Sequence, residues 1–267
     1  MAERKIALVT GGSAGIGLAV ARRLDAAGAR VALVARTEKT LREAAASLHD
    51  AEVFPLDMKD LAAVAALPQR VIERLGALDV VINNAGVHHR GPMLDRAPPE
   101  LAEMVTVNLA APIVLARAAA PLMRKGGSIV NVASLAGMVP ARFQATYGAT
   151  KAGLRAFSKA IRQELSDKGI TVSAVSPGPV DTGFFGEDLE KIADIVFSQP
   201  MSTAEQVADA IMACIRDGAE EIAVPWLSGK LCTLGYVSPR LRAMLQPALE
   251  RRGAKAKRAY IARKRAQ

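Results

Sequence analysis

Apolar positions along this chain fall into two alternating patterns. Short continuous runs lie at 5–10, 31–35, 53–56, 80–82, 128–132, 170–175 and 222–224, and each predicts a strand. Between them, apolar residues recur every three to four positions at 16–27, beyond 35 through Leu48, and at 61–75, 99–123, 145–167 and 204–216, which predicts helices. Gly28 and Gly169 stand where two of these helices should stop. Strands that are apolar at consecutive positions belong to a parallel sheet covered on both faces. Their alternation with helices implies right-handed crossovers and an α/β fold: a single doubly wound parallel sheet of about seven strands with helices on both faces. Ligands of such sheets bind beyond the carboxyl ends of the strands, where the strand order reverses, so the chemistry is sought just after each strand.

The first strand runs into Thr10-Gly11-Gly12-Ser13-Ala14-Gly15-Ile16-Gly17 and then directly into a helix. Glycines permit a tight turn and a close backbone approach, and the free N–H groups of a helix start favour a pyrophosphate. The spacing is G-x-x-x-G-x-G rather than the commoner G-x-G-x-x-G. After the second strand, residues 35–37 contain no acid to accept the adenosine ribose hydroxyls, which an NAD site would use. Arg36 instead offers a fork for a 2′-phosphate, and Ser13 a hydroxyl, so NADP(H) is expected with NAD(H) as the alternative. Asp57 follows the third strand and has two readings, a partner of the adenine amino group or a cap for the helix at 61–75. Tyr147 and Lys151 are one helical turn apart, so the ammonium can stabilise a phenolate and make the phenol a proton donor or acceptor near neutral pH. Ser134 lies just past the fifth strand, at the same sheet edge as the glycine loop.

These motifs stand in order with NNAG at 83–86 and PGPVDT at 177–182, and together they resemble the short-chain dehydrogenase/reductase family from residue 5 to about 224. The resemblance implies a Rossmann-type oxidoreductase that interconverts a carbonyl and an alcohol by hydride transfer. It further implies Tyr147 as general acid/base, Lys151 lowering its pKa and holding the nicotinamide ribose, Ser134 holding the substrate oxygen, and Asn108 holding a water linked to Lys151. Gly11, Ser13, Gly15, Ile16 and Gly17 would line the pyrophosphate and ribose, and Asn83, Asn84, Ala85 and Gly86 the adenosine side. Pro177 and Gly178 would open the loop over the nicotinamide, with Val180 and Thr182 fixing the carboxamide. Some NADP-preferring members carry a basic residue before the middle glycine; here it is Ala14, which leaves the 2′-phosphate largely to Arg36. The three residues between Tyr147 and Lys151 resemble the reductase/dehydrogenase branch rather than the enoyl reductases. Specificity would sit at 183–202, where Phe184, Phe185, Ile192, Ile195, Val196 and Phe197 read either as a lid walling an apolar or bulky carbonyl substrate or as ordinary packing. His88 and His89, after NNAG, read as loop residues near the cleft. Members of the family are usually dimers or tetramers, which would pair the helices near 99–123 and 145–167.

Charge divides the 267 residues unevenly. Residues 238–267 hold ten basic side chains and one acid, Glu250, and so carry the chain's whole formal charge of +9. The body at 1–237 is balanced, and the basic segment reads as a C-terminal tail that Pro247 and Gly253 should keep from forming one long helix. The tail has three readings: a solvated segment, an anchor on an anionic membrane surface, or a nucleic-acid contact, the last disfavoured because no base-reading module is present. Cys214 and Cys232 cannot frame a disulfide scaffold, and with His49, His88 and His89 they lack zinc spacing, so no metal is expected. The charged N-terminus leads straight into a strand, and the longest uncharged run, 126–141, is short and polar; the expected location is cytoplasmic, with peripheral membrane association through the tail. Two further classes of function stay open: a nucleotide-sensing scaffold without catalysis, against which the joint presence of Asn108, Ser134, Tyr147 and Lys151 speaks, and a membrane- or polyanion-binding protein acting through 238–267.

Overall fold

A computed structural model describes residues 4–185 and 189–265. Seven strands form one parallel sheet: β1 (Ile6–Thr10), β2 (Arg30–Ala35), β3 (Ala51–Pro55), β4 (Val80–Asn83), β5 (Ser128–Val132), β6 (Thr171–Pro177) and β7 (Glu221–Val224). Their spatial order is β3-β2-β1-β4-β5-β6-β7, so the order reverses between β1 and β4 and a crevice opens at their carboxyl ends.

The strands are continuously apolar because both faces are covered. In β1, Ile6 and Leu8 point into one core and Ala7 and Val9 into the other. The first core packs against α3 (Leu61–Leu75), α5 (Ala111–Ala119) and α6 (Ala145–Leu165), the second against α1 (Gly15–Ala26), α2 (Glu38–Ala45) and α7 (Ala204–Asp217). Asp60, not Asp57, caps α3, accepting the Ala63 N–H at 2.9 Å. Asp57 instead accepts the Lys59 N–H at 2.9 Å in a local turn, which removes the capping alternative for it.

The helix predicted at 99–123 is built in three parts: α4 (Pro98–Val105), a π-helical turn at Thr106–Ala110, and α5. By length and composition Pro98–Ala119 could cross a membrane, but Met104, Val107, Leu115 and Ala119 are buried in this protein. Cys214 and Cys232 are free and buried, and the described residues hold no group of three or more potential metal ligands among His, Cys, Asp and Glu.

The C-terminal segment departs from its sequence reading. After α8 (Trp226–Val237), one helix, α9, runs Pro239–Arg265 straight through Pro247 and Gly253. Pro247 forfeits the bond to the Ala243 carbonyl, but both residues are exposed and water can serve that oxygen. Gly253 is a docking point: a Cβ there would sit 2.0 Å from the Asp194 carbonyl oxygen. The helix packs on the turn Asp194–Ser198, and Lys257 Nζ donates to the carbonyls of Glu190 at 2.8 Å and Ile192 at 2.7 Å. Tyr260 joins Phe185, Ile192 and Phe197 in a small third core. Those lid residues therefore face α9, in keeping with the packing alternative. Residues 186–188 and the Phe184 side chain lie outside the described residues.

Candidate active site

The loop after β1 is shaped for close approach. Gly11 has φ of 65° and Gly15 of 53°, the left-handed region that favours glycine. A Cβ on Gly17 would lie 2.1 Å from the Gly11 carbonyl oxygen, so that glycine lets α1 start against the loop. Asn84 holds the loop from β4, donating from Nδ2 to the carbonyls of Thr10 at 3.0 Å and Gly11 at 3.2 Å. The Thr10 hydroxyl reciprocates, accepting the N–H groups of Asn84 at 3.0 Å and Ala85 at 3.1 Å. At the helix start, Ala14 supplies no side-chain cap, which leaves the first N–H groups of α1 for an anion. Ser13 and Ile16 are half-buried beside it, and Arg36 is exposed at the end of β2. A dinucleotide with a 2′-phosphate fits this cradle: a tight glycine turn, an uncapped helix start and a free-standing cation at the ribose end. Asp57 is half-buried two residues beyond the end of β3.

Across the crevice, Val180 bridges to Ser202, and Thr182 approaches the glycine loop so closely that a Cβ on Gly15 would lie 3.4 Å from it. Gly178 donates its N–H to the Val224 carbonyl at 2.7 Å, fixing the start of this loop just beyond Pro177. Asp181, between Val180 and Thr182, accepts the Tyr260 hydroxyl at 2.7 Å and pairs with Lys264 at 3.1 Å and Arg263 at 3.4 Å.

Ser134, Tyr147 and Lys151 converge at the ends of β5 and β6. The Ser134 hydroxyl is hydrogen-bonded to the Tyr147 phenol. It also accepts the Ala136 N–H at 3.1 Å. Burial holds the Tyr147 pKa above its ordinary value, against the opposing pull of the Ser134 hydrogen bond and the Arg90 charge. Lys151 is buried, donates to the Val132 carbonyl at 2.7 Å and lies 5.9 Å from the Tyr147 ring centre. Burial brings its pKa down to about 8. Gly86 lets the β4 loop reach this group, since a Cβ there would be 3.2 Å from Asn108 Oδ1 and 3.7 Å from Lys151 Nζ. Asn108 sits in the π-helical turn, and its amide clips Val87, accepting that N–H at 2.8 Å and donating to that carbonyl at 2.8 Å. Asn83 is a deeper brace: it donates to Asn131 Oδ1 at 2.8 Å, and Asn131 donates to Ser158 of α6 at 2.8 Å.

Three features of the site were not legible in the motifs. His88 stacks on Tyr147, with ring centres 4.1 Å apart and planes within 8°. Burial, with the charges of Arg90, His89 and Lys151, pushes its pKa down to about 3, so the ring is neutral. Its position two residues after NNAG was the only signal. His89 turns away to Glu103 at 2.9 Å. Second, a cavity of about 170 Å3 opens beside Tyr147, walled by His88, Met93, Leu101, Met104 and Phe143, the last with φ of 64°. Third, Arg155, one turn beyond Lys151, pairs with Glu221 of β7 through Nε at 2.6 Å and Nη2 at 2.9 Å, and its Nη1 donates to the Gly137 carbonyl at 2.8 Å. This pair fixes α6 against the sheet. Arg155→Leu is expected to lower unfolding stability by about 3 kcal/mol, the low end for a stranded buried charge, because Lys159 stays 3.5 Å from Glu221. The midpoint of urea unfolding measures it; an unchanged midpoint would mean that the pair contributes nothing net.

Fold and cleft thus define a doubly wound α/β protein with a Ser–Tyr–Lys cluster at its switch point. The model of the short chain dehydrogenase family matches residues 5–193. An uncharacterized oxidoreductase of Staphylococcus epidermidis is 35% identical over 206 residues, covering 73% of this chain and 90% of the relative. The ketoacyl reductase HetN of Nostoc sp. is 32% identical over 247 residues, covering 88% and 85% respectively. A short chain dehydrogenase of Burkholderia cenocepacia, crystallised with NADP, superposes with a TM-score of 0.75 at 33% identity, covering 82% of this chain and 95% of that one. The chain belongs to the short chain dehydrogenase family and is an oxidoreductase.

Proposed function

We propose that the protein reduces an apolar or bulky ketone or aldehyde with NADPH, and runs the reverse oxidation with NADP. The observation that carries this reading is the convergence of Ser134, Tyr147 and Lys151 on one side of a crevice whose other side is the uncapped glycine loop. The nicotinamide supplies the hydride when bound. The chain's own residues handle the oxygen and its proton. Ser134 Oγ holds the carbonyl oxygen and stabilises the charge growing on it. Tyr147 gives its phenolic proton to that oxygen, and the phenolate left behind lies beside the Lys151 ammonium. Asn108 keeps the β4 loop and α6 in register through Val87 and, at 3.4 Å, Thr150. The neutral His88 ring packs the phenol in place and borders the cavity of Met93, Leu101, Met104 and Phe143, which suits an apolar substrate body.

For the cofactor, Arg36 in place of an acid and a structural relative crystallised with NADP both favour the 2′-phosphate. Gly11, Ser13, Gly15, Ile16 and Gly17 would hold the pyrophosphate half. Asp57, Asn84, Ala85 and Gly86 would border the adenosine, with Asn83, expected there from the sequence, buried instead as a brace to Asn131, and Pro177, Gly178, Val180 and Thr182 would border the nicotinamide. Fluorescence titration with NADPH and NADH tests this. Arg36→Ala is expected to weaken NADPH roughly ten- to a hundredfold and leave NADH unchanged, the loss of one charge-assisted phosphate contact. A wild-type preference for NADH would overturn the assignment.

A further inference from the structure

The exposed apolar residues of this protein are concentrated at its C-terminal end. Trp226, Leu227, Leu231, Leu234, Val237 and Met244 are each at least half exposed, Trp226 at 66% and Val237 at 75%. At 3.6 residues per turn, Trp226, Leu227, Leu231, Leu234 and Val237 share one face of α8, together with Lys230. Ser228, Gly229 and Cys232 are buried on the opposite face. Patches of this kind mark contact surfaces, since isolated apolar side chains on a soluble surface are ordinary and contiguous ones are not.

The charge of the same C-terminal segment says what covers it. From Trp226 to the end of the chain Glu250 is the only acid. Some of the basic side chains are turned inward: Lys257 holds lid carbonyls, and Arg263 and Lys264 hold Asp181. Arg251, Lys255 and Arg258, at helical spacing, are exposed on the side of α9 away from the docked Gly253, Lys257 and Tyr260. A second copy brought to this face would set like charge against like charge. A nucleic acid would satisfy the cations but leave the Trp and Leu side chains without an apolar partner. An anionic bilayer takes both, with apolar side chains at the acyl boundary and Lys and Arg on the lipid phosphates.

We infer that α8 and α9 together form a docking surface for an anionic lipid bilayer. The surface adjoins the cleft: Gly229 of α8 backs onto Leu135 and Gly235 onto Val139, both in the loop that follows Ser134. A docked enzyme would therefore hold that rim of its active site behind α8, one helix's width from the membrane, whatever carbonyl it reduces.

The test is cosedimentation of the full-length protein with phosphatidylcholine vesicles, with and without phosphatidylglycerol. Binding to the anionic vesicles only, lost as salt is raised, is expected. Arg251→Glu/Lys255→Glu/Arg258→Glu should lower the partition coefficient on the order of a hundredfold, given the attraction each cation adds near an anionic surface. Leu227→Ser/Leu231→Ser/Leu234→Ser should lower it as well, and both variants should keep the melting curve of the parent. Absence of wild-type binding, or equal binding by both variants, overturns the proposal. So does a parent oligomer that the Leu variant converts to monomer while vesicles leave the parent in solution, because the face then belongs to a second copy.

Discussion

Tyr147→Phe is expected to lower carbonyl reduction by about a hundred- to ten-thousandfold, the range lost with a positioned proton donor, while NADPH binding stays at the parental value. Phenylalanine fills the same space and keeps the stacked contact with His88, so the variant removes one oxygen and its proton and little else. A stopped reaction with intact cofactor binding is the expected pair of results. Residual activity within tenfold of the parent would mean that another group, with Ser134 the nearest hydroxyl, delivers the proton. The pH dependence carries a second sign. Oxidation of the alcohol needs the phenol to lose its proton, so its rate rises with pH through the Tyr147 pKa. Burial raises that pKa and the Arg90 charge lowers it. Arg90→Met removes the lowering influence and is expected to move the rise to higher pH. His88 titrates near 3 and should contribute no limb between pH 5 and 8, so His88→Ala is expected to leave the shape of the profile unchanged there.

The strand runs of the sequence carry into the fold with few changes. The helix expected at 61–75 and the strand expected at 128–132 have those limits in the protein. Each is set locally, by an apolar run and a nearby stop such as Gly76, whose φ is 89°. The glycine loop and the Tyr–Lys turn are legible for the same reason, because their geometry depends on spacing within a few residues. What sequence could not give are contacts between distant segments. The stacking of His88 on Tyr147 joins a loop to α6 across 59 positions of the chain, and the Arg155–Glu221 pair spans 66. Neither leaves a periodic trace. The π-helical turn at Asn108 was hidden because its residues, Thr106–Ala110, are compatible with an ordinary helix; the side chain's two bonds to Val87 are tertiary. The C-terminal helix was misread because proline and glycine were given their usual local weight. There a tertiary contact decides, since Gly253 is small where the helix crosses the Asp194 backbone.

That crossing makes Gly253→Ala informative, because two effects of the substitution have opposite sign. Alanine favours a helix interior over glycine by about 1 kcal/mol, so α9 itself becomes a better helix. Yet the added methyl would meet the Asp194 carbonyl oxygen at 2.0 Å, a backbone atom that no rotamer change can move. The helix must therefore lift from the turn Asp194–Ser198. With it go the Tyr260 contacts to Phe185 and Phe197 and the hydroxyl bond to Asp181. Asp181 lies between Val180 and Thr182, on the loop proposed to hold the nicotinamide, so a change 106 positions beyond Tyr147, outside every family motif, should be felt in turnover. The expected result is a fall in kcat/KM on the order of a hundredfold, the scale of a misplacement near 1 Å, with faster amide exchange at 189–198. Ala262→Val, on the exposed side of the same helix, is the control and is expected to change neither. Parental turnover and exchange in Gly253→Ala would show that the C-terminal helix rests on the lid without holding it.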